Sequence, residues 1–336
     1  MAGGSEENMG MTGESPENMG MAGELPENTG VTGELPENMD RAGEPEEPAG
    51  MNPDPSAKAA VCGVCFHRCH LKEGQTGFCR ARKNTGGKVR PVNYGELTSL
   101  ALDPIEKKPL ARFYPGSMIL SVGSFGCNLA CPFCQNYEIS CAGRESARTR
   151  SISPSGLCAL AESLKSRGNI GIAYTYNEPL IGWEFVRDTA RLVREQGMKN
   201  VLVSNGTAGL PVLRALRPYI DAMNIDLKSF RPDYYEKVLR GNLDQVKDWI
   251  RESVRFCHVE LTTLIVPGAN DREDEIRAMA EWIASLDSGA GEIPWHLTRF
   301  FPRHRMTDRS ATDIALICRL ADIARESLRY VYTGNC

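Results

Sequence analysis

From residue 117 onward, short apolar runs alternate with stretches whose apolar residues recur every three to four positions. SMILSVGSFG, IGIAYTYNEP, VLVSNG, MNIDLKSF, VELTTLIVPG and PWHLTRFFP read as strands covered on both faces. Between them the spacing is helical. Ile276, Met279, Ala280, Ile283 and Leu286 fall at i, i+3, i+4, i+7 and i+10 behind the acidic first turn DREDE, and Phe185, Val186, Ala190 and Val193 mark another helix. A last helix is predicted over about 311–328, ahead of RYVYTG. Six or seven β-α units with short connections predict an α/β protein whose parallel sheet closes fully or partly into a barrel, with a doubly wound sheet as the rival.

The pattern is absent from the first 50 residues, where MTGESPENMG, MAGELPENTG and VTGELPENMD repeat every ten positions. Such a composition cannot bury a core, and a ten-residue period matches no solenoid unit, so a disordered acidic tail is expected over 1–56. These 50 residues carry 12 acidic side chains and one basic, a net of −11, which leaves +7 on the rest of the chain. No dense basic block accompanies that +7, so nucleic acid is not implied. With no secretory signal and no run of about 18 apolar residues, a cytosolic protein without a membrane span is expected. In that reducing compartment, the 12 cysteines of the 336-residue chain point to metal ligands more than to disulfides. A Cys-rich module over 57–100 and a barrel over 101–336 complete the expected organisation.

Polar and special residues gather where strands end, the face on which parallel α/β folds build sites. Cys127, Cys131 and Cys134 follow the first strand, and Tyr176, Asn177, Glu178 and Pro179 the second. Ser204, Asn205 and Gly206 follow the third, Asp226 and Lys228 mark the fourth, Pro267 and Gly268 the fifth, and His296 lies in the sixth. Tyr174 and Tyr176 alternate with Thr175, which puts both tyrosines on one strand face; one of them could line a substrate cavity or simply pack.

The stretch FGCNLACPFC places three cysteines in one loop, with Pro132 breaking any helix. Thiolates in such number suit zinc or iron–sulfur. Structural zinc wants a fourth ligand, whereas a [4Fe–4S] cube on three cysteines keeps one iron open for a substrate.

This C-x3-C-x2-C loop after the first strand resembles that of the radical S-adenosylmethionine (SAM) enzymes. The resemblance implies a partial (β/α)6-type, TIM-like barrel, a [4Fe–4S] cluster, and SAM as the missing ligand, cleaved to methionine and a hydrogen-abstracting 5′-deoxyadenosyl radical. VSNG, NIDLKSF and LIVPG resemble the pyruvate formate-lyase activating enzyme. By that likeness Asn177 and Glu178 would meet the SAM amino group, Lys228 its carboxylate, and His296 the ribose or adenine, with Ser204, Asn205 and Asp226 at the same cofactor site. Read without it, Asn177 or Glu178 could cap a helix, Asp226 and Lys228 could form a buried ion pair, and His296 could be a core histidine. Val203 stands where the activating enzyme has aspartate and Thr262 where it has arginine, which counts against an activase-type cation site.

Cys62, Cys65, Cys69 and Cys79, in CGVCFHRCHLKEGQTGFCRAR, precede the barrel. Together with YTYNEPLIGWEF and PWHLTRFFP they resemble the radical SAM enzyme of the AmmeMemoRadiSam system, which implies a Memo-like protein and a small partner. Four thiolates in 18 residues make zinc the first expectation, with a second [4Fe–4S] cluster for electron delivery as the alternative and His67 and His70 as lesser ligands. Cys141, Cys158, Cys257 and Cys318 have no partner spacing and read as ordinary small residues. Members of the resembled family often continue past YVYTGNC with a further cysteine-bearing segment, so the chain is expected to be truncated near Cys336.

A radical SAM enzyme acting on a small molecule, reduced by a donor such as flavodoxin or ferredoxin, is therefore the leading expectation. An activase of a glycyl-radical enzyme and a non-catalytic metal-binding scaffold are the alternatives.

Overall fold

The computed structural model describes residues 58–287 and 289–336, so the decapeptide repeats expected to form a tail lie outside the described residues. The chain first makes two small antiparallel pairs, β1 (Ala60–Val61) with β2 (His70–Leu71), and β3 (Arg82–Thr85) with β4 (Lys88–Pro91). After β5 (Glu96–Leu97), strand β6 (Ser99–Pro104) opens the main sheet and turns back antiparallel along β7 (Met118–Gly123). The main sheet thus begins at Ser99, and its antiparallel first strand did not show in the apolar pattern.

Helix α1 (Tyr137–Ser140), β8 (Arg150–Ser151, paired with β5) and α2 (Pro154–Ser163) lead into β9 (Asn169–Tyr174). Strict alternation follows: α3 (Trp183–Glu195), β10 (Lys199–Ser204), α4 (Leu210–Leu216), β11 (Ala222–Asp226), α5 (Leu243–Ser253), β12 (His258–Ile265), α6 (Glu273–Ser285), β13 (Trp295–Arg299), α7 (Ile314–Arg325) and β14 (Val331–Gly334). Helix starts carry the expected chemistry. Ser153, Asn242 and Asp313 accept backbone N–H bonds at the heads of α2, α5 and α7, each stabilising by about 1 kcal/mol.

The strand order is β14-β13-β12-β11-β10-β9-β7-β6, and every neighbouring pair from β7 to β14 is parallel. A doubly wound sheet would reverse that order at a switch point. Because β6 and β14 occupy opposite ends of the order, the barrel is partial.

Helices cover the outside. The apolar stripe read from sequence on α6 is buried at Ile276, Met279, Ala280 and Ile283, and that on α3 at Phe185, Val186, Ala190 and Val193. Each large side chain so buried contributes about 2 kcal/mol. Inside, Ile105 and Leu110 pack with Ile119, Ala173, Val201 and Ala222, so the segment after β6 fills the interior. Polar bonds fix that segment. Asn224 Nδ2 donates to the Pro109 carbonyl at 2.8 Å, while the backbone N–H groups of Ala111 and Arg112 donate to Glu260 at 2.9 and 2.8 Å. Glu260 also bonds Nε2 of His258 (2.9 Å) and of His296 (2.6 Å).

Candidate functional site

The cysteine loop leaves β7 through Ser124, Phe125 and Gly126, and Asn177 holds that exit. Its Oδ1 accepts from Ser124 N–H at 2.9 Å, and its Nδ2 donates to the carbonyls of Phe125 and Gly126, both at 3.1 Å. Both side-chain polar atoms of Asn177 thus serve the loop's backbone. Asn136, beyond the third cysteine, donates through Nδ2 to the Tyr176 carbonyl at 2.9 Å, so the end of β9 is fastened to both ends of the loop.

Glu178 is buried, and its carboxylate accepts from Leu180 N–H (3.0 Å), Ser204 Oγ (2.8 Å) and Asn205 N–H (2.8 Å). The first of these caps the short turn Pro179–Gly182, as the structural alternative anticipated. Burial pushes the carboxyl up to about 7, against the pull of those three donors. Its charge is felt at Cys127. Ser204 and Asn205 therefore join Glu178 beside the loop, and Asn205 Nδ2 also lies 3.7 Å from Cys127 Sγ.

On the far side stand Asp226 and Lys228, paired at 2.7 Å. Burial opposes the lysine's charge, but Asp226 and Cys131 outweigh it and raise its pKa. Tyr235 Oη accepts the Lys228 N–H at 3.0 Å and fixes the backbone there. His296 shares a register row with Thr262 and Asp226, yet its Nε2 is taken by Glu260 and its ring stacks on Tyr332 at 5.1 Å.

Burial pushes all three thiols of the loop up, Cys131 to about 12. Thiols raised in this way become stable thiolates when a cation lies against them. The donor set therefore fits a cationic iron–sulfur cluster. Two N–H donors face Cys127 Sγ, from Leu129 (3.4 Å) and Asn205 (3.7 Å), and Lys228 lies within electrostatic reach of Cys131.

Tyr174 and Tyr176 do not share a face. Tyr174 packs in the outer core and reaches Asn200 at 3.3 Å, but the backbone after Thr175 turns left-handed, with Tyr176 at φ 68°. Its phenol donates to Asp103 Oδ2 at 2.8 Å, where Lys108 Nζ also binds at 2.8 Å. A tyrosine held in this region signals a constrained site. Asp103, Lys108 and Glu260 escaped the sequence reading. A charge inside an apolar run, the feature that marked Asp226 and Lys228, also marks Glu260 in VELTTLIVPG.

The N-terminal module docks on the residues flanking Cys127. Gly126 has φ 87°, and a Cβ there would lie 2.4 Å from the Cys79 carbonyl oxygen and 2.9 Å from Ala81 Cβ. On the other flank, His67 Nε2 meets the Asn128 carbonyl at 2.9 Å. Gly126→Ala should lower stability by about 2 kcal/mol, through left-handed strain and displacement of the module. An unchanged denaturant midpoint would contradict this packing. Cys65 is pushed up to about 11 by burial, moderated by the His67 backbone and the Asn128 side chain. Among the described residues, no three His, Cys, Asp or Glu side chains converge on one ion position. Of the remaining cysteines, Cys158 is buried, Cys257 half-buried, and Cys141 and Cys318 exposed.

The Radical SAM superfamily model matches residues 121–283. An uncharacterized protein of Methanocaldococcus jannaschii is 38% identical over 276 residues, 82% of this chain and 80% of that protein. GTP 3',8-cyclase of Lactiplantibacillus plantarum is 30% identical over 155 residues, 44% of this chain and 45% of the enzyme, so the chain spans less than half of that relative. A second Methanocaldococcus jannaschii protein, named as a glycyl-radical enzyme activating enzyme, is 25% identical over 181 residues, 52% of this chain and 72% of its own. Among solved structures, Streptococcus suis SuiB bound to precursor peptide SuiA aligns with a TM-score of 0.50 at 13% identity over 62% of this chain and 47% of its own, a likeness of fold alone. No helix among the described residues is long and apolar enough to cross a membrane.

Proposed function

The chain belongs to the radical SAM superfamily, and from that premise we propose that it cleaves SAM reductively and takes a hydrogen atom from a substrate whose identity is open. The observation that carries this reading is the half-buried loop of Cys127, Cys131 and Cys134, flanked by Glu178 and Asn205 on one side and Lys228 on the other. Those three cysteines would hold the cluster. When bound, a [4Fe–4S] cluster on three thiolates offers one open iron to SAM and the electron that splits it into methionine and a 5′-deoxyadenosyl radical.

The chain's own residues bind and orient. Lys228, oriented by Asp226, would meet the SAM carboxylate as a charge-assisted partner. Glu178, fixed by Ser204 and Asn205, would accept from the SAM ammonium with its remaining lone pairs, while Asn177 holds the loop in register. His296 would approach the ribose or adenine with the ring edge that Glu260 leaves free. Partial burial of the loop would limit water at the reacting centre. Lys228→Met should weaken SAM binding roughly tenfold to a hundredfold, from loss of one charge-assisted bond, with cluster content retained. Titration of SAM against the cluster's electron paramagnetic resonance (EPR) signal measures it, and an unchanged affinity would remove Lys228 from the site.

A single-electron carrier such as flavodoxin or ferredoxin would supply the reductant, and a Memo-like protein with a small partner would be the associated proteins. The activase reading draws support from the relative named as an activating enzyme. Val203, packed against the interior apolar cluster, and Thr262, donating to Asn224 Oδ1 at 2.9 Å, leave no carboxylate or arginine where that chemistry has them. The test is to reduce the anaerobically reconstituted protein and add SAM. An altered EPR signal together with 5′-deoxyadenosine is expected; a cluster indifferent to SAM, with no such product, would instead support a metal-binding scaffold.

A further inference from the structure

We propose that Cys62, Cys65, Cys69 and Cys79 hold a second iron–sulfur cluster that passes electrons to the one in the Cys127 loop. The destination of the electron rests on the radical SAM reading; the second cluster does not. All four thiols are free, Cys62 and Cys79 are buried, and Cys79 lies within electrostatic reach of Cys62 and Cys69. Phe78 N–H donates to Cys69 Sγ at 3.5 Å, the kind of bond that stabilises cluster thiolates.

Closed zinc sites draw four ligands to about 2.3 Å from one ion. Four thiolates close either such a site or a cube, and Cys65 and Cys79 each lie within electrostatic reach of Cys62. Zinc, the first expectation from spacing, is therefore the rival that the metal content must separate from the cluster.

Placement supplies the function. The module touches the catalytic loop on both flanks of Cys127. The Cys79 carbonyl packs on Gly126, and the Asn128 side chain interacts with Cys65. Asn205 Nδ2 then spans Asn128 Oδ1 at 3.0 Å and Cys127 Sγ at 3.7 Å, so a chain of polar contacts joins Cys65 to Cys127. A purely structural ion would need no such apposition. Val61 and Phe78, next in sequence to Cys62 and Cys79, are exposed, with the Phe78 ring 4.1 Å from that of His67. Electrons balance simply. A reduced flavin or iron–sulfur carrier loses one electron, the second cluster gains and then loses it, the first cluster gains it, and no bond is made or broken in the relay.

Anaerobic reconstitution of the full chain tests the site. Wild-type protein should hold about eight irons, and the triple variant Cys127→Ala, Cys131→Ala, Cys134→Ala about four, with a reduced EPR signal that SAM leaves unchanged. One zinc and no iron in that variant would overturn the proposal. For the relay, the rate of 5′-deoxyadenosine formation with reduced flavodoxin, divided by the rate with dithionite, should fall at least tenfold in Cys62→Ala; an unchanged ratio would overturn the relay. Fully reduced wild-type protein needs no substitution and should show two magnetically interacting signals, whereas one isolated signal counts against a second cluster. Failure of the radical SAM reading would look different, as a Cys127-loop cluster indifferent to SAM.

Discussion

Cys127→Ala should abolish cluster binding at the loop and lower SAM cleavage by at least a thousandfold, a rise of about 4 kcal/mol in the barrier. Two thiolates remain after the substitution, and the Leu129 N–H and Asn205 amide that point at Cys127 Sγ lose their acceptor. Asn205 would then be a buried donor with less to bind, which loosens the contact to Glu178. Cys158→Ala is the control. Cys158 is a buried thiol that lies on α2 away from the loop, and its loss should cost about 1 kcal/mol of stability and leave the iron in place. Iron analysis with EPR, read beside 5′-deoxyadenosine formation, separates the two. Retained cleavage in Cys127→Ala would end the assignment of this loop as the catalytic centre.

The second large effect is expected far from the cysteines. Glu260→Gln should destabilise the fold by roughly 3 kcal/mol. Its two oxygens share four partners, with the Arg112 N–H and His258 on one, and the Ala111 N–H and His296 on the other. An amide must turn its NH2 toward one of those backbone N–H groups, and two donors then face each other in a buried place. Acid should act on the same group. Burial alone would raise the carboxyl, but bonds from both histidines and both amides outweigh it and bring the pKa from 4.5 to about 2. A depressed pKa contributes stability above the unfolded value and loses it as pH falls through the folded one. About 3 kcal/mol should therefore be present above pH 4.5 and fade between about 4.5 and 2. Denaturation midpoints across that window, compared with Glu260→Gln, measure it. Parallel acid limbs would show that Glu260 does not carry the effect.

The site loop and the strand ends were legible because their chemistry is local. Three cysteines beside a proline after an apolar run, and Asp226 or Lys228 at the end of another, need no knowledge of distant residues. The alternating elements likewise follow from periodicity, and the apolar stripes read on α3 and α6 are the faces those helices bury. What stayed hidden depends on long-range partners. The segment after β6 is a plug only because Glu260, almost 150 positions away, accepts its backbone N–H groups. Tyr176 turns inward because its φ is positive, which no alternation rule for strands anticipates. Asn177 and Glu178 were read as facing a ligand, but most of their bonding capacity holds the cysteine loop and the strand ends together. Lys228 is both the ion-pair partner and the cofactor candidate, since pairing with Asp226 leaves a side chain with three donors two to spare.

In the partial barrel, β6 and β14 are never hydrogen-bonded neighbours. Across that seam the chain is joined by side chains, as where Arg112 lies 3.9 Å over the ring of Tyr330, just before β14. A closed ring of strands has a girth set by its ladder, and widening it means tearing backbone bonds. Here no ladder closes the ring, and what spans the seam is a guanidinium resting on an aromatic face.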